Sequence, residues 1–306
     1  MIQNYLTRRL VTLSATLMMV MALTLAPVME VNAVSDGKTF SLPTVLTDKY
    51  SDSDGEKATI TETRDFTEEG LDASRSISDE DGLYNRYSVI KRDGKGRTLQ
   101  EQQYSDAGLD GTYTYTYWKN GRIKKVVYKP VKGSGASRWK FNKNGYITYC
   151  AMKDGKTLET YTYKYKFNKK GDPAYIVMTW KTKEGSKKAK IRKTIKTTVK
   201  NTYIKKGKNK GKLSKQVSVA RGSKINTSST TETTIIKNKY NKKGRLIKTT
   251  TTTSRKDSDG DTHWDREVVT YQYKTVKAPK KYWKACKYAA DGTIFRQMGI
   301  EEKYSG

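Results

Sequence analysis

Residues Thr160-Tyr-Thr-Tyr-Lys-Tyr-Lys-Phe167, followed by Asn168-Lys-Lys-Gly171, decide the fold of this chain. In the first segment an aromatic ring stands at every second position, with Thr or Lys between the rings. Successive side chains of a β-strand point to opposite faces, so this alternation places the rings on one face and polar groups on the other. In the second segment Asn suits the first position of a type I turn, and glycine supplies the positive φ that closes a hairpin.

The same cadence, an aromatic residue followed four positions later by glycine, recurs along the chain, at Phe66/Gly70, Tyr104/Gly108, Tyr117/Gly121, Phe141/Gly145, Tyr240/Gly244 and Tyr288/Gly292. Asn120-Gly121 has the form of a tighter, two-residue turn. The repeated pattern predicts an all-β fold in which antiparallel β-hairpin repeats form an extended, curled sheet.

Residues 181–275 are rich in Lys and Thr, including five consecutive threonines at 249–253. Threonine favours strands, so this region is predicted to form long polar strands, with a flexible segment as the alternative. The change in composition marks a sub-boundary near residue 181 within the repeat domain.

The first 33 residues have the form of a secretory signal peptide. Arg8 and Arg9 precede an uncharged apolar run, and Val31-Asn32-Ala33 offers a cleavage site. A single membrane anchor is the alternative, although the run falls short of the ~20 residues of a spanning helix. The predicted organisation is a signal-peptide helix over 1–33, an acidic leader over 34–60 and a β-hairpin repeat domain over 61–306.

Charge is distributed unevenly. The whole chain carries a net charge of +30. Residues 34–110 contribute −7, from 17 acidic and 10 basic residues, and residues 111–306 contribute +36, from 13 acidic and 49 basic residues. Most of the basic residues are lysines, which suit diffuse attraction to a polyanion better than the recognition of individual groups.

Catalytic and metal-binding patterns are weak. His263, flanked by Asp261 and Asp265, is the one histidine and has no accompanying nucleophile pattern, so the chain is predicted not to be an enzyme. Asp257, Asp259 and Asp261 alternate as calcium ligands can, but the spacing fails the EF-hand pattern and turn-forming Asp and Gly explain it without metal. No other cofactor is expected.

Cys150 and Cys286 are the two cysteines. In an exported protein they could form a disulfide that ties an early repeat to the last one. The sequence leaves open whether they do so or remain buried thiols, because it does not show whether their Cβ atoms meet.

Tyr240-Asn-Lys-Lys-Gly-Arg-Leu246 resembles the repeat unit of the YD-repeat (Rhs-type) family, Tyr-Asp-x-x-Gly-Arg-Leu, with Asn in place of Asp. Trp118-Lys-Asn-Gly-Arg-Ile123 and Phe141-Asn-Lys-Asn-Gly-Tyr-Ile147 are degenerate copies. The resemblance covers about half of the mature chain and implies antiparallel hairpins strung into a curled sheet. The shell-building role of large family members is not implied for so short a chain.

These features predict a secreted, non-enzymatic β-repeat protein that is associated with the cell wall and binds an anionic surface polymer or glycan. The predicted binding face consists of the alternating rings and one tryptophan: Tyr113, Tyr115, Tyr117, Tyr161, Tyr163, Tyr165 and Trp180. No nucleic-acid partner is expected, and no stable membrane insertion after cleavage.

Three other functions compete with this prediction. A periplasmic or extracellular carrier or chaperone would hold an apolar ligand on the same aromatic face. A secreted effector or enzyme is disfavoured by the single histidine. An outer-membrane barrel is disfavoured because the polar runs are rich in lysine.

Overall fold

A computed structural model describes residues 38–79, 82–132, 135–222, 231–256 and 262–290, so the signal-peptide segment lies outside the described residues. The described chain forms sixteen strands, followed by a 3-10 helix (Lys280–Tyr282) and one α-helix, α1 (Trp283–Ala290). The strands are β1 (Lys38–Asp52), β2 (Lys57–Phe66), β3 (Asp72–Asp79), β4 (Gly82–Arg92), β5 (Thr98–Ser105), β6 (Gly108–Tyr117), β7 (Ile123–Pro130), β8 (Ala136–Phe141), β9 (Ile147–Asp154), β10 (Thr157–Phe167), β11 (Pro173–Glu184), β12 (Lys190–Tyr203), β13 (Leu213–Gly222), β14 (Thr231–Tyr240), β15 (Leu246–Lys256) and β16 (Thr262–Ala278).

Each strand pairs antiparallel with its neighbours in the chain, and β1 pairs with β16, so the sheet closes into a barrel. The closing register runs from Lys38 opposite Ala278 to Asp52 opposite Asp265. The all-β, antiparallel prediction is therefore confirmed, and the extended, curled sheet is wrong. Hairpin patterns in the sequence specify only which strands pair with their neighbours in the chain. Closure also pairs the backbone N–H and C=O groups of the two edge strands, which an open sheet would leave unpaired.

Closure also overturns the resemblance to the YD-repeat family. The hairpin motifs that carry the resemblance are present, but each one joins two neighbouring strands of a single closed barrel. A four-residue turn ending in glycine is a general solution for joining antiparallel strands, so the motif reports local turn chemistry and not the family's architecture.

Two boundaries predicted from composition fall inside the barrel wall. Residues 38–60, which were assigned to the acidic leader, form β1 and the beginning of β2. Position 181 lies within β11, and the polar region beyond it forms β12 to β16 in the described residues.

The predicted Asn-x-x-Gly turn is present between β10 and β11. The amide of Gly171 donates to the Asn168 carbonyl at 3.0 Å, and the Asn168 amide donates to the Asp172 carbonyl at 2.8 Å. Gly171 has a φ of 82°, which glycine adopts without strain. Asn120-Gly121 does not form the tighter turn predicted for it, because Trp118 to Arg122 make the same hydrogen bonds as Asn168 to Asp172.

Alternation along the strands separates an interior face from an outer face. The inward apolar side chains of β3, β4 and β6 to β12, here called the apolar sector, form one hydrophobic cluster. Its members at or below 1% exposure are Tyr87, Val126, Cys150, Tyr161, Ile176 and Met178. A side chain facing an open, water-filled lumen would keep an exposed tip, so this part of the interior is packed.

The inward side chains of β13 to β16, β1 and β2 form a polar sector. Beside buried aliphatic side chains such as Ile236, it holds a group of buried hydroxyl, amide and carboxylate side chains: Gln216, Ser218, Glu232, Thr234, Thr249, Thr251 and Thr253. The run of five threonines therefore places three of its members inside and leaves Thr250 and Thr252 on the outer face.

The outer face is polar. Thr114, Thr162, Lys164, Lys196 and Lys200 are exposed and alternate with buried neighbours on β6, β10 and β12. The apolar band of a lipid-exposed barrel has the opposite chemistry, and a lysine at a bilayer midplane costs about 2–4 kcal/mol. The outer positions therefore suit contact with water or with polar headgroups.

Helix α1 packs against one end of the barrel. Cys286 belongs to a second, smaller hydrophobic cluster with Phe40, Leu42, Leu71 and Val276. Gly70, in the turn between β2 and β3, makes this contact close, because a Cβ on it would lie 3.3 Å from the Cys286 Sγ.

Within the described ranges, no helix has the length and apolar character needed to cross a membrane.

Candidate functional site: a carboxylate strip on the interior wall

The predicted aromatic binding face forms part of the core. Tyr113, Tyr115, Tyr161 and Tyr163 are between 1% and 3% exposed, and all lie in the apolar sector. Two of the hydroxyls make buried hydrogen bonds: Tyr113 donates to Gln103 at 2.9 Å and Tyr115 to Glu101 at 2.7 Å. These rings therefore stabilise the fold and do not form a surface for an external polymer.

The remaining members of that face are half-buried and pack against the same cluster. Tyr117 and Tyr165 donate to the backbone carbonyls of Thr98 and Ile147, at 2.5 and 2.6 Å. Trp180 stacks on Tyr161, with 6.1 Å between the ring centres.

The two cysteines are both buried, and neither forms a disulfide in this structure. Cys150 lies in the apolar sector, whereas Cys286 on α1 donates to the carbonyls of Glu69 and Gly70 at 3.4 and 3.3 Å. Burial raises the pKa of Cys286 to about 12. The two thiols belong to different clusters, so each is part of its local packing and no bridge joins them here.

The predicted calcium ligands Asp257, Asp259 and Asp261 lie outside the described residues. His263 is exposed near the start of β16, opposite Arg255. Asp265 was predicted as a flanking carboxylate of His263. It instead accepts a hydrogen bond from Tyr50 at 2.8 Å and forms an ion pair with Arg255 at 2.9 Å.

Arg255 anchors one end of a row of charged groups that crosses the polar sector. Its Nε lies 2.9 Å from Glu232 on β14, and its other contact is Asp265 on β16. Burial disfavours the charge on Arg255, but Glu232 and Asp265 outweigh burial and raise the pKa of Arg255 above its ordinary value.

Three further carboxylates continue the row by register. Glu267 lies opposite Tyr50, Asp48 opposite Val269, and Glu62 opposite Leu46. Asp48 is thus the diagonal neighbour of Glu267 on one side and of Glu62 on the other, a separation of about 7–8 Å or less. The carboxylates form a continuous oblique line over β16, β1 and β2.

Arg75 anchors the other end of the row. Its guanidinium lies 3.8 Å from Glu62 and 3.4 Å from Glu101, and it stacks 3.6 Å above the ring of Tyr87. Glu101 also accepts the hydroxyl of Tyr115, so this end of the row joins the packed apolar sector.

The row, here called the carboxylate strip, contains more acids than bases. Its members are Glu232, Asp265, Glu267, Asp48, Glu62 and Glu101, with Arg255 and Arg75 between them. Although Glu62 and Asp265 face inward, their side chains retain 14% and 20% exposure. Glu62 and Asp265 are therefore partly accessible to solvent, unlike the most deeply buried side chains of the apolar sector.

Within the described residues, no three His, Cys, Asp or Glu side chains are grouped so that they could hold a metal ion.

A second interior ion pair lies beyond the strip on β2. Arg64 and Asp72 are 3.0 Å apart. Burial lowers the pKa of Arg64 and raises the pKa of Asp72, and in each case the partner's charge opposes the effect.

The carboxylate strip was missed by sequence reasoning, although a signal for it exists. Asp48 stands between Leu46 and Tyr50 in the alternation of β1. On β16, Asp265 and Glu267 share the parity of Val269 and Tyr271. An acidic residue that is separated from inward rings and aliphatic residues by an even number of positions along a strand points to the same face as they do. The assignment of Asp48 to a separate acidic leader ignored this alternation.

No protein-family model matches the chain, and none of the curated proteins matches it. Solved structures with a similar course include a porin-like protein from Bacteroides uniformis, with a TM-score of 0.39 and 13% identity over 75% of this chain and 95% of that one. A mutant of Rh. blastica porin has a TM-score of 0.41 and 8% identity, over 76% of this chain and 100% of that one. The outer membrane protein OmpT of Vibrio cholerae has a TM-score of 0.28 and 5% identity, over 78% and 100%. Scores of this size carry no argument about function.

The predicted function is corrected by the closed barrel. Polymer or glycan binding was predicted for an open, curled sheet with an aromatic face, and carriage of an apolar ligand for the same face, whereas the sheet is closed and that face is the packed interior. The prediction of no stable membrane insertion is also wrong. A barrel was disfavoured because the polar runs are rich in lysine, whereas the strands do close into a barrel, the form in which β-strands can cross a membrane.

Proposed function

We propose that this chain is a non-enzymatic β-barrel of the cell envelope that selects small cations entering its interior along the carboxylate strip. The observation that carries the proposal is the row of six carboxylates and two arginines on the inner wall, in which Glu62 and Asp265 keep partial exposure. A row of like charges in a confined, low-dielectric setting concentrates counter-ions of the opposite sign.

The distribution of charge supports cations over anions. The outer face and the turns carry the lysines, so the barrel as a whole attracts anions. Inside, the described strip has the opposite sign, with six carboxylates and two arginines, so it attracts cations. The packed apolar sector confines solvent and solute to this side of the interior.

The test compares cation binding and conductance. Purified barrel is titrated with a small organic dication by equilibrium dialysis, and its conductance and reversal potential are measured after addition to a planar bilayer under a salt gradient. We expect cation binding in dialysis, and a cation-selective reversal potential for any current that appears.

The informative variant is Asp48→Asn combined with Glu267→Gln, which removes two charges from the centre of the strip without changing side-chain volume. Asp65→Asn is the matched control, because Asp65 is exposed on the outer face of β2, three residues from Glu62. Loss of binding and selectivity in the double variant alone supports the proposal. Equal effects of both, or an anion-selective current in the unmodified protein, contradict it.

A further inference from the structure

The two ends of the barrel differ in charge, and this difference is independent of the interior strip. In an antiparallel barrel every second connection lies at the same end. The segment that follows β16 lies at the end that also carries the β2–β3 turn. We call the end that carries the β2–β3 turn the basic rim. It comprises residues 67–71, 93–97, 118–122, 142–146, 168–172, 204–212, 241–245 and 279–290.

The basic rim contains nineteen Lys and Arg residues and four Asp and Glu residues, a net charge of +15. The described connections at the opposite end, residues 53–56, 106–107, 131–132, 135, 155–156 and 185–189, contain four basic and three acidic residues. The excess positive charge of the chain is therefore concentrated at one end of the barrel as well as on its outer face.

The turns of the basic rim are held in place by a repeated set of hydrogen bonds. In the turn that begins at Asn142, the Asn142 side-chain oxygen accepts the amides of Asn144 and Tyr146, at 2.9 and 3.0 Å. Asp93, Asn168 and Asn241 make the same pair of contacts in their own turns. The middle residues of these turns, often lysines, are left exposed.

Neighbouring turns are also joined to each other. Asn120 donates to the Lys143 carbonyl at 2.8 Å, and Asn209 donates to the Asn241 carbonyl at 3.1 Å. Lys212 donates to the Gly244 carbonyl at 2.6 Å. The rim is thus a fixed arrangement of charges, and binding through it does not require its loops to be ordered first.

Aromatic rings accompany the lysines at this end. Lys170 lies 3.6 Å above the ring of Tyr203, and Lys143 lies 6.0 Å from Trp118. Phe167, next to the Asn168 turn, is 38% exposed. Lysine together with aromatic side chains is the combination that favours the interfacial region of a membrane.

We propose that the basic rim docks the barrel, end-on, onto a membrane surface rich in anionic phospholipid headgroups. The turns of one barrel end form a ring of adjacent tips about two strand spacings, or roughly 10 Å, apart. A planar lattice of phosphates can be contacted by many such tips at once, and each lysine brought close to an anionic surface strengthens binding roughly fivefold. A lipid surface suits this ring better than a flexible chain, which would follow only part of it.

The experiment is vesicle flotation of the purified, processed protein. Vesicles of phosphatidylcholine alone are compared with vesicles containing 30% phosphatidylglycerol, at low salt and at 0.5 M salt. We expect binding to the anionic vesicles only, and a steep loss at high salt because the contacts are screened.

A matched pair of variants separates the rim from overall charge. Lys242→Glu with Lys243→Glu changes two exposed lysines of a rim turn, and Lys187→Glu with Lys188→Glu makes the same change in net charge at the opposite end. The rim variant is expected to bind anionic vesicles at least tenfold more weakly, and the opposite-end variant less than threefold. Circular dichroism of both checks that the barrel is intact.

Three outcomes would overturn the proposal. Equal weakening by the two variants would show that net charge alone governs binding. Equal binding to both kinds of vesicle would exclude headgroup recognition. Displacement from vesicles by soluble polyphosphate at equal phosphate concentration would show that a linear polyanion serves as well as a surface.

Discussion

The apolar and polar sectors of the interior arise from the same alternation of side chains but close the barrel in different ways. In the apolar sector, rings and aliphatic groups from β3 to β12 exclude water from one another. In the polar sector, threonines are buried by their neighbours, and the charged groups are satisfied by ion pairs and hydrogen bonds. The comparison shows that period-2 patterning specifies which face is inside, whereas the chemistry of that face specifies whether the inside is dry.

The largest difference between the sectors should appear on truncation of a core ring. Trp139→Ala, in the apolar sector, is expected to destabilise the barrel by about 3–5 kcal/mol, because it removes a buried ring and leaves a cavity. Urea unfolding followed by circular dichroism measures the change. Thr162→Ala, on the outer face, is the control and should stay within about 0.5 kcal/mol. Similar losses for both variants would contradict a packed apolar sector.

In the polar sector the largest loss should come from Arg255→Met, which leaves Glu232 and Asp265 without their shared cation. We expect a loss of about 2–3 kcal/mol, below the fully buried case because Arg255 keeps some exposure. The same unfolding measurement applies. Adding Glu232→Gln to Arg255→Met should restore part of the lost stability. If the loss in the double variant instead equals the sum of the losses in the two single variants, the ion-pair account is contradicted.

Close packing at the edge of the apolar sector is tested by Gly111→Ala. A Cβ at Gly111 would lie 2.5 Å from the ring of Tyr128, which stacks on Tyr113 at 4.6 Å. The ring pair must shift, at an expected cost of about 1–3 kcal/mol. Gly94→Ala is the control, since a Cβ there meets nothing within 4 Å. Equal unfolding midpoints for the two variants would refute the contact.

Alkaline pH should weaken the contact between α1 and the barrel. Burial raises the pKa of Cys286 from its ordinary value of 9.0 to about 12, so the folded state retains a proton that the unfolded state loses. The contribution of this group is therefore complete below pH 9 and falls as the pH rises towards 12. Relative to Cys286→Ser, the unmodified protein should lose about 1 kcal/mol more between pH 8 and pH 10. Parallel stability curves for the two proteins over this range would contradict this assignment.

The smallest effect is expected where a hydroxyl faces the polar sector. Thr251→Val should change stability by less than about 1 kcal/mol, because it keeps the side-chain shape. Ile236→Thr, at the position opposite Thr251, should cost more because it places a new hydroxyl among buried groups. Thermal unfolding of the two variants decides the order, and a larger loss for the Thr251 variant would reverse the interpretation.

Much of the local structure could be predicted from the sequence. The alternation at Tyr161 to Phe167 predicted strand β10 with its rings on one face, and Asn168 with Gly171 predicted the turn. Burial of the rings also follows from that alternation, but the interpretation of them as a binding face required an open sheet. Period-2 patterning is equally compatible with a curled sheet and a closed barrel, because each strand has the same two neighbours in both.

The carboxylate strip could not be predicted in the same way, because it depends on strands that are far apart in the chain. Asp48 and Glu267 are neighbours only because β1 pairs with β16. No local feature of Lys38 to Asp52 specifies that partner, and its acidic flanks suggested a separate leader. Closure and register, which are long-range properties, decide both the fold and the site.

The pairing of β1 with β16 also has a consequence for how the chain reaches its native state. Among the described strands, these two are the first and the last to be synthesised, and fourteen residue pairs join them. Until β16 is available, β1 presents a free edge that can pair with another chain. Contacts of such wide sequence separation form slowly. A ribosome-released or translocating chain therefore remains open at its seam until its last strand emerges, so the interval before closure, and not the stability of the finished barrel, is when this protein is most exposed to aggregation and to proteases.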